Sequence, residues 1–447
     1  MIGLERLSAC FEGVIPSIIA TASADGMPNI SYLSHVALVD EGRVALSNQF
    51  FTKTAANILA NPSVGILLVD PRDGAQHQLT ATFEQSLDRG DLFDKMASHL
   101  RATSAQLGMA DVMALRGVDI YKVASIAAVW SPVGAVASPP PTAEMRLAAA
   151  TAVTGKISQA TEISSIIDAI LDGLRDSFGF GATMLLMLEP AGERLVTVGS
   201  RGYPWTGIGS EVAMGEALIG TAAVERHSVR INDMSRIRRF GSAIRASSAD
   251  ENRTRTIFLP SLPDAMSQIA LPLIAQGAVR GVLFLETSER LAFLQGVEAA
   301  LSIVAAHAAA ALALAEHEAS NAPAIMTSIE GAGALAGRPF KVVRHTYDDS
   351  IFINGDYLIK GVAGRLLVHL LGLHLREGRA TFTNREMRLS DELRLPEFKD
   401  NLETRLLLLR RRLDEKAAPI RLRQTGRGRL SLELAGPAHL ETVAARG

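Results

Sequence analysis

The chain has 447 residues, 48% hydrophobic and 21% charged, with 45 Lys and Arg against 47 Asp and Glu. That balance excludes disorder, a collagen-like repeat and a coiled-coil rod, and the length accommodates about three domains. A net charge of −2 leaves no general field for nucleic acid or an anionic membrane, so any basic patch is local.

The lone cysteine, Cys10, excludes an intramolecular disulfide and a Cys-based zinc cage, which fits a reducing compartment. MIGLERLSACFEGVIP lacks the basic start and unbroken apolar run of a secretory signal, and a cytoplasmic location is expected. Runs rich in β-branched residues at 15–22, 29–39, 43–50 and 63–69, parted by Asp25-Gly26 and Asp40-Glu41-Gly42, predict an antiparallel meander. Between the last two, residues 52–61 carry apolar side chains at helical spacing and stop at Asn61-Pro62. The first turn puts the Thr52 hydroxyl and Lys53 ammonium where free N–H groups and the helix dipole favour a phosphate. His35, on an alternating strand, reads either as facing a ligand or as a hydrogen-bonded barrel histidine.

This order of strand, hydroxyl and cation, helix, Asn-Pro and strand resembles the pyridoxamine 5′-phosphate oxidase-like family of FMN-binding split barrels, over residues 10–130. PSIIATASADGMPNISYLS is similar to that family's opening hairpin, and ALSNQFFTKTAANILANPSVGILLV to its FMN-phosphate segment. The resemblance implies FMN lying along the backbone of Ser47, Asn48, Gln49 and Phe50, with Thr52 and Lys53 on its phosphate and Asn57 in the same segment. It also implies a homodimer with flavin at the subunit interface. Tyr32, Ala37 and Thr54 stand where the true oxidases carry basic residues, and no Arg-rich, Trp-containing substrate motif precedes Trp130, so vitamin B6 oxidation is not expected.

Three consecutive prolines within 131–142 predict an interdomain linker. Apolar residues at 163, 166, 167, 170, 171, 174 and 178 predict an amphipathic helix. Strands are expected at 182–188, 194–199, 229–231, 267–274 and 278–286, the last two forming a hairpin across Ala275-Gln276-Gly277. ALPLIAQGAVRGVLFLET, with its flanking helices, resembles a GAF domain over residues 150–317, which implies a small-molecule effector. Covalent bilin attachment is excluded because residues 143–320 lack cysteine, and the NKFDE pattern of cyclic-nucleotide GAF domains is absent. Arg236, Arg238, Arg239, Arg245, Arg253 and Arg255 read as a solvated loop or as a clamp on an anion, and His227 as a structural histidine. The alanine-rich stretch 291–317 holds Glu298 and His307, so a buried or dimerising helix is expected rather than a membrane span. Ala300, Val304, Ala308, Ala311 and Ala315 would form its seam, either with a second copy or with the 161–178 helix.

Small residues at 321–337 mark a second linker. Net charge is −4 for residues 1–130, −5 for 131–337 and +7 for 338–435, which points to an anionic partner for the last block alone. Residues 350–359 alternate about Asn354-Gly355, a hairpin signal. A helix follows at 361–376, then a Thr383/Glu386 capping box, a helix at 397–416 and a hairpin at 420–434. This order, ending in LRRRLDEK and TGRGRL, resembles the winged-helix output domain of response-regulator transcription factors over residues 345–435, with 436–447 as a tail. The resemblance implies DNA contacts from Arg405, Arg410, Arg411 and Arg412 on the recognition helix and from Arg423, Arg427 and Arg429 on the wing.

The fold class expected is α+β multidomain: a split β-barrel at 1–130, a GAF-like α/β/α sandwich at 143–320 and a winged helix at 338–435. No catalytic acid/base pair, positioned nucleophile or metal cluster emerges from spacing, so any chemistry would belong to a cofactor. The expected role is flavin- or metabolite-responsive transcription regulation; the alternative is an FMN-dependent oxidoreductase regulated by its GAF domain.

Overall fold

A computed structural model describes residues 3–33, 35–48, 52–106, 115–130, 142–189, 192–235, 255–320, 337–393, 395, 402–426 and 428–444, with 52, 102–106, 130 and 320 described by backbone alone. The linkers at 131–141 and 321–336, the arginines at 236–253 and the start of the 397–416 helix lie outside the described residues.

A short 3-10 helix, Leu4–Glu12, precedes seven strands: β1 (Ser17–Ala22), β2 (Pro28–Leu33), β3 (Val36–Asp40), β4 (Arg43–Asn48), β5 (Ser63–Val69), β6 (Gln76–Leu87) and β7 (Gly117–Trp130). They form one antiparallel sheet in the order β2-β1-β5-β6-β7-β4-β3. The expected single strand at 29–39 is two, Pro28–Leu33 and Val36–Asp40, because β2 pairs with β1 while β3 pairs with β4 at the other edge. Side chains from all seven strands, including Ile19, Leu33, Val36, Val44, Ile66, Leu79 and Tyr121, share one core, so the sheet is curled upon itself. Helix α1 (Thr52–Ala60) links β4 to β5, and α2 (Asp91–Gln106) links β6 to β7.

The middle region opens with two helices, α3 (Ala143–Gln159) and α4 (Ile163–Phe178). Strands β8 (Ala182–Leu188), β9 (Arg194–Arg201) and β10 (Glu211–Ala213) lead to α5 (Ala217–Glu225) and β11 (Val229–Ile231). The hairpin of β12 (Ser267–Ala275) and β13 (Ala278–Thr287) precedes α6 (Gln295–Ser320). The antiparallel sheet runs β10-β9-β8-β13-β12-β11. Alternation along β8 sends Leu185 and Met187 toward α3, α4 and α6, and Met184 and Leu186 toward α5, giving a sheet covered on both faces. Helix α6 is long and apolar enough to cross a membrane, yet Leu301, Val304, Ala308 and Leu312 are fully buried in this domain's core. Its alanine seam is filled from within the chain by Val153 and Ile157 of α3, a helix not placed from sequence, and by Ile166 and Ile170 of α4.

In the C-terminal region β14 (Phe340–His345), β15 (Ser350–Ile353) and β16 (Asp356–Ile359) form a meander; Asn354 and Gly355, at φ 52° and 98°, supply the turn that Asn-Gly favours. Then come α7 (Gly361–Glu377), β17 (Thr381–Thr383), α8 (Asn384–Arg388), α9 (Leu402–Glu415), and the hairpin β18 (Ile420–Gly426) and β19 (Arg429–Leu434). The Thr383 hydroxyl accepts the Glu386 N–H at 3.3 Å, as the capping box requires. The hairpin takes β17 as a third strand, in the order β17-β19-β18. The expected tail is corrected: Ala438–Val443 is a strand, β20, running parallel to β14 and completing the sheet β16-β15-β14-β20. Its alternation is weak because it is a half-covered edge strand, which hid it in the sequence.

Candidate functional site

The first candidate is the barrel rim where β4 ends and α1 begins. Lys53 stands exposed at the helix N-terminus, near enough to Asp25 to help hold that carboxyl below its ordinary range, behind hydrogen bonds from Ser23 and the backbone. Thr54, by contrast, is 2% exposed, receiving Asn29 Nδ2 at 3.0 Å and meeting Ser31 Oγ at 2.9 Å. Asn57 donates to Thr21 Oγ1 at 3.1 Å. Thr54 and Asn57 therefore tie the helix to β1 and β2, Asn57 being buried with its amide nitrogen on Thr21. Ser47 is likewise buried, its hydroxyl bonded to the His35 backbone, and Asn48 donates to Asp119 at 3.2 Å. Gln49 and Phe50 lie outside the described residues, as does the Thr52 side chain. The exposed ammonium at the helix N-terminus fits the phosphate end of FMN; the Ser47 hydroxyl and the Asn48 amide are taken up by the His35 backbone and Asp119.

His35 stacks on His99 of α2 with ring centroids 4.6 Å apart, so it serves the packing of β3 against α2 rather than an open ligand face. Burial pulls His35 down to about 4 and His99 well below its ordinary value. Beside them runs a charge network that joins barrel to middle domain. Glu12 receives Arg230 Nη2 at 2.9 Å and Asn232 Nδ2 at 2.7 Å, while Arg230 also pairs with Glu298, which takes Lys95 at 3.3 Å. A few residues on, Ser98 bonds both Glu225 and His227. Tertiary proximity of residues 68 to 220 positions apart made this network, and nothing in local spacing could have disclosed it.

The second candidate is the face of α9. Arg412 is 1% exposed, its Nε donating to the Leu358 carbonyl at 2.8 Å and its Nη1 to Glu415 at 2.8 Å. It is corrected from a DNA contact to a buried cation that ties α9 to β16. Arg411 donates to Asp168 at 2.9 Å and to the Val198 carbonyl at 2.8 Å, and Arg405 lies 4.0 Å from Glu189. Here these two hold α9 on the middle domain. Glu415 receives the Thr206 hydroxyl at 2.6 Å, Lys360 meets Glu211 at 3.3 Å, and Arg255 meets Asp348 at 3.3 Å. Leu407 inserts into the middle domain's own core. The remaining basic groups are differently placed: Arg410 donates to Gln424 at 3.5 Å, Arg423 pairs with Glu433 at 2.9 Å while 60% exposed, and Arg429 lines a cleft beside them. Arg427 lies outside the described residues. Glu316, buried on α6 opposite Thr404, is pushed up to about 7 by desolvation, against the pull of Arg280. Among the described residues no cluster of His, Cys, Asp and Glu could hold a metal.

Residues 4–124 match the family model described as pyridoxamine 5′-phosphate oxidase, and residues 160–313 match the GAF domain. The N-terminal sheet is thus a split barrel of that oxidase type and the middle region a GAF domain, the build of a sensor-type multidomain protein. An uncharacterised protein of Methanocaldococcus jannaschii is 39% identical over 57 residues, 12% of this chain and 38% of its own length. The chain therefore spans well under half of that curated relative. Among solved structures, an FMN-binding protein from Syntrophomonas wolfei is 14% identical, covering 29% of this chain and 86% of its own, with a TM-score of 0.25. A GAF domain from a phosphoenolpyruvate-protein phosphotransferase of Coxiella burnetii is 17% identical, covering 40% and 99%, with a TM-score of 0.31.

Proposed function

We propose that this chain is a ligand-responsive transcription regulator in which an FMN-binding barrel and a GAF domain control a DNA-binding, winged-helix C-terminal domain. The observation that carries the reading is the grip on α9: Arg405 and Arg411 of the helix meant for the major groove are engaged by Glu189, Asp168 and Val198 of the GAF domain. A sensor that holds its output helix by charged groups on its own surface changes DNA affinity whenever it lets go. Support for the winged-helix assignment comes from the element order, a small sheet, three helices and a basic hairpin paired to the strand between the first two helices. The excess charge of that block, +7, supplies the non-specific attraction to phosphates.

FMN, when bound, would supply redox chemistry, and Lys53 with the α1 N-terminus would hold its phosphate. The GAF effector would sit on the sheet face under α5, where Tyr203 and the buried Glu286 lie. We place the protein as a homodimer through the barrel, in a cytoplasmic setting.

The test is fluorescence anisotropy of full-length protein on mixed-sequence duplex DNA as salt is raised. Affinity falling with salt in wild type, or in a variant with the α9 grip loosened, supports the reading; no retention of either at low salt overturns it.

A further inference from the structure

The end of α6 meets α8 and α9 where the C-terminal domain closes on the GAF domain. The contact is apolar at its centre: Leu407 of α9 and Ala315 of α6 share one core, both nearly sealed from water. The next residue on α6 is Glu316, a carboxyl only 9% exposed in that dry boundary. From the other domain the Thr404 hydroxyl reaches its Oε1 in a long hydrogen bond of 3.5 Å.

The charged groups around Glu316 come from several elements. Arg280 of β13 and Arg388 of α8 favour its ionised form. Arg388 acts also on Glu403 of α9, a carboxyl raised by burial and by Glu162 at the start of α4. On α6 itself the neighbouring His317 is exposed. One cation therefore serves two buried carboxyls, and the loss of water outweighs the attraction: Glu316 is pushed up to about 7. Two of its walls, α8 and α9, belong to the C-terminal domain. Parting the domains would return Glu316 to water and to the ordinary carboxylate range, so docking and protonation favour each other.

We propose that Glu316 is a proton-operated latch: ionisation of its carboxyl loosens the C-terminal domain from the GAF domain, so that the two stay together in mild acid and part as pH rises. The docked form holds the proton more tightly. Its advantage is complete below the ordinary carboxylate range and is lost as pH rises through about 7. As a regulatory signal the latch rests on the proposed release of α9. As a docking equilibrium it is measured without DNA, so it can fail while the DNA reading stands, and the reverse.

Energy transfer between dyes on Thr151→Cys of α3 and Arg421→Cys of β18, both exposed positions, tests it in the full-length chain; the native Cys10 is buried. The measurement is made in wild type and in Asp168→Asn, where docking is weaker and therefore more easily shifted. The docking equilibrium should weaken about tenfold between pH 6 and pH 8. Glu316→Gln, neutral at every pH, should hold the docked transfer at both, while His317→Gln should part over the same range as the parent. Transfer unchanged with pH in both wild type and Asp168→Asn overturns the proposal. A fall that persists in Glu316→Gln, or that disappears in His317→Gln, also overturns it, because the proton then sits on another group.

Discussion

Arg411 on α9 reaches Asp168 on α4, 243 positions earlier, at 2.9 Å, and its other nitrogen donates to the Val198 carbonyl at 2.8 Å. Asp168 also takes Arg201 of its own domain at 2.8 Å, so one carboxylate holds a cation from each side of the domain boundary. Gly199 makes the approach feasible: a Cβ there would stand 2.7 Å from the Arg411 Nη1 and 2.8 Å from Ile167 Cγ2. Loosening this grip is the most direct way to ask what α9 does when free.

Asp168→Asn should weaken the grip by about 1 kcal/mol, the carboxylate being half exposed, and so raise low-salt DNA affinity by about fivefold. Anisotropy against mixed-sequence duplex reads this; an affinity no higher than wild type would mean that docking does not limit access.

Glu316 has its proton held more tightly in the folded chain, up to about 7, than in the unfolded one. The native state then binds more protons than the unfolded state between the two values, and stability falls as pH rises through that window. Glu316→Gln should flatten that fall and stabilise the protein at pH 8 by at most about 3 kcal/mol. Unfolding in urea at pH 5 and pH 8 gives the comparison.

The histidine pair runs the other way. Burial lowers His35 to about 4 and lowers His99 as well, so both stay neutral in the fold and charge only on unfolding at mild acid. Their contribution is complete above about pH 6.5 and is lost as pH falls toward 4. His99→Phe should shallow the decline of Tm between pH 6.5 and 4.5, because one of the two stacked rings no longer takes up a proton.

Glu12 and Arg230 are the buried centre of the link between barrel and GAF domain, their side chains 2% and 14% exposed. Glu12→Gln takes one of the two carboxylates from Arg230, which keeps Glu298, so the cost stays below the about 3–5 kcal/mol of breaking a buried pair outright. Scanning calorimetry should show barrel and GAF domain melting separately where the wild type melts together.

Lys53→Ala should weaken FMN uptake by about tenfold, the scale of one charge-assisted hydrogen bond to phosphate. Quenching of flavin fluorescence on titration measures it, and an unchanged affinity would remove Lys53 from the phosphate site.

Much of the architecture was legible along the chain. The Asn354-Gly355 turn, the Thr383/Glu386 cap and the spacing of Ile163, Ile166, Ile167, Ile170, Leu171 and Leu174 are local devices, and each formed where its spacing placed it. The separation of β2 from β3 was not legible, because it depends on the two strands lying at opposite edges of the sheet. Nor was β20, whose partner strand lies about a hundred residues earlier. The same physics divides the candidate sites. Charge type and helix position marked Lys53 and the arginines of α9 in the sequence, since composition and periodicity are properties of a segment. Which of those arginines meets solvent, which meets Asp168 and which is sealed against Leu358 depends on what other domains bring to that helix, and only the packed chain decides it.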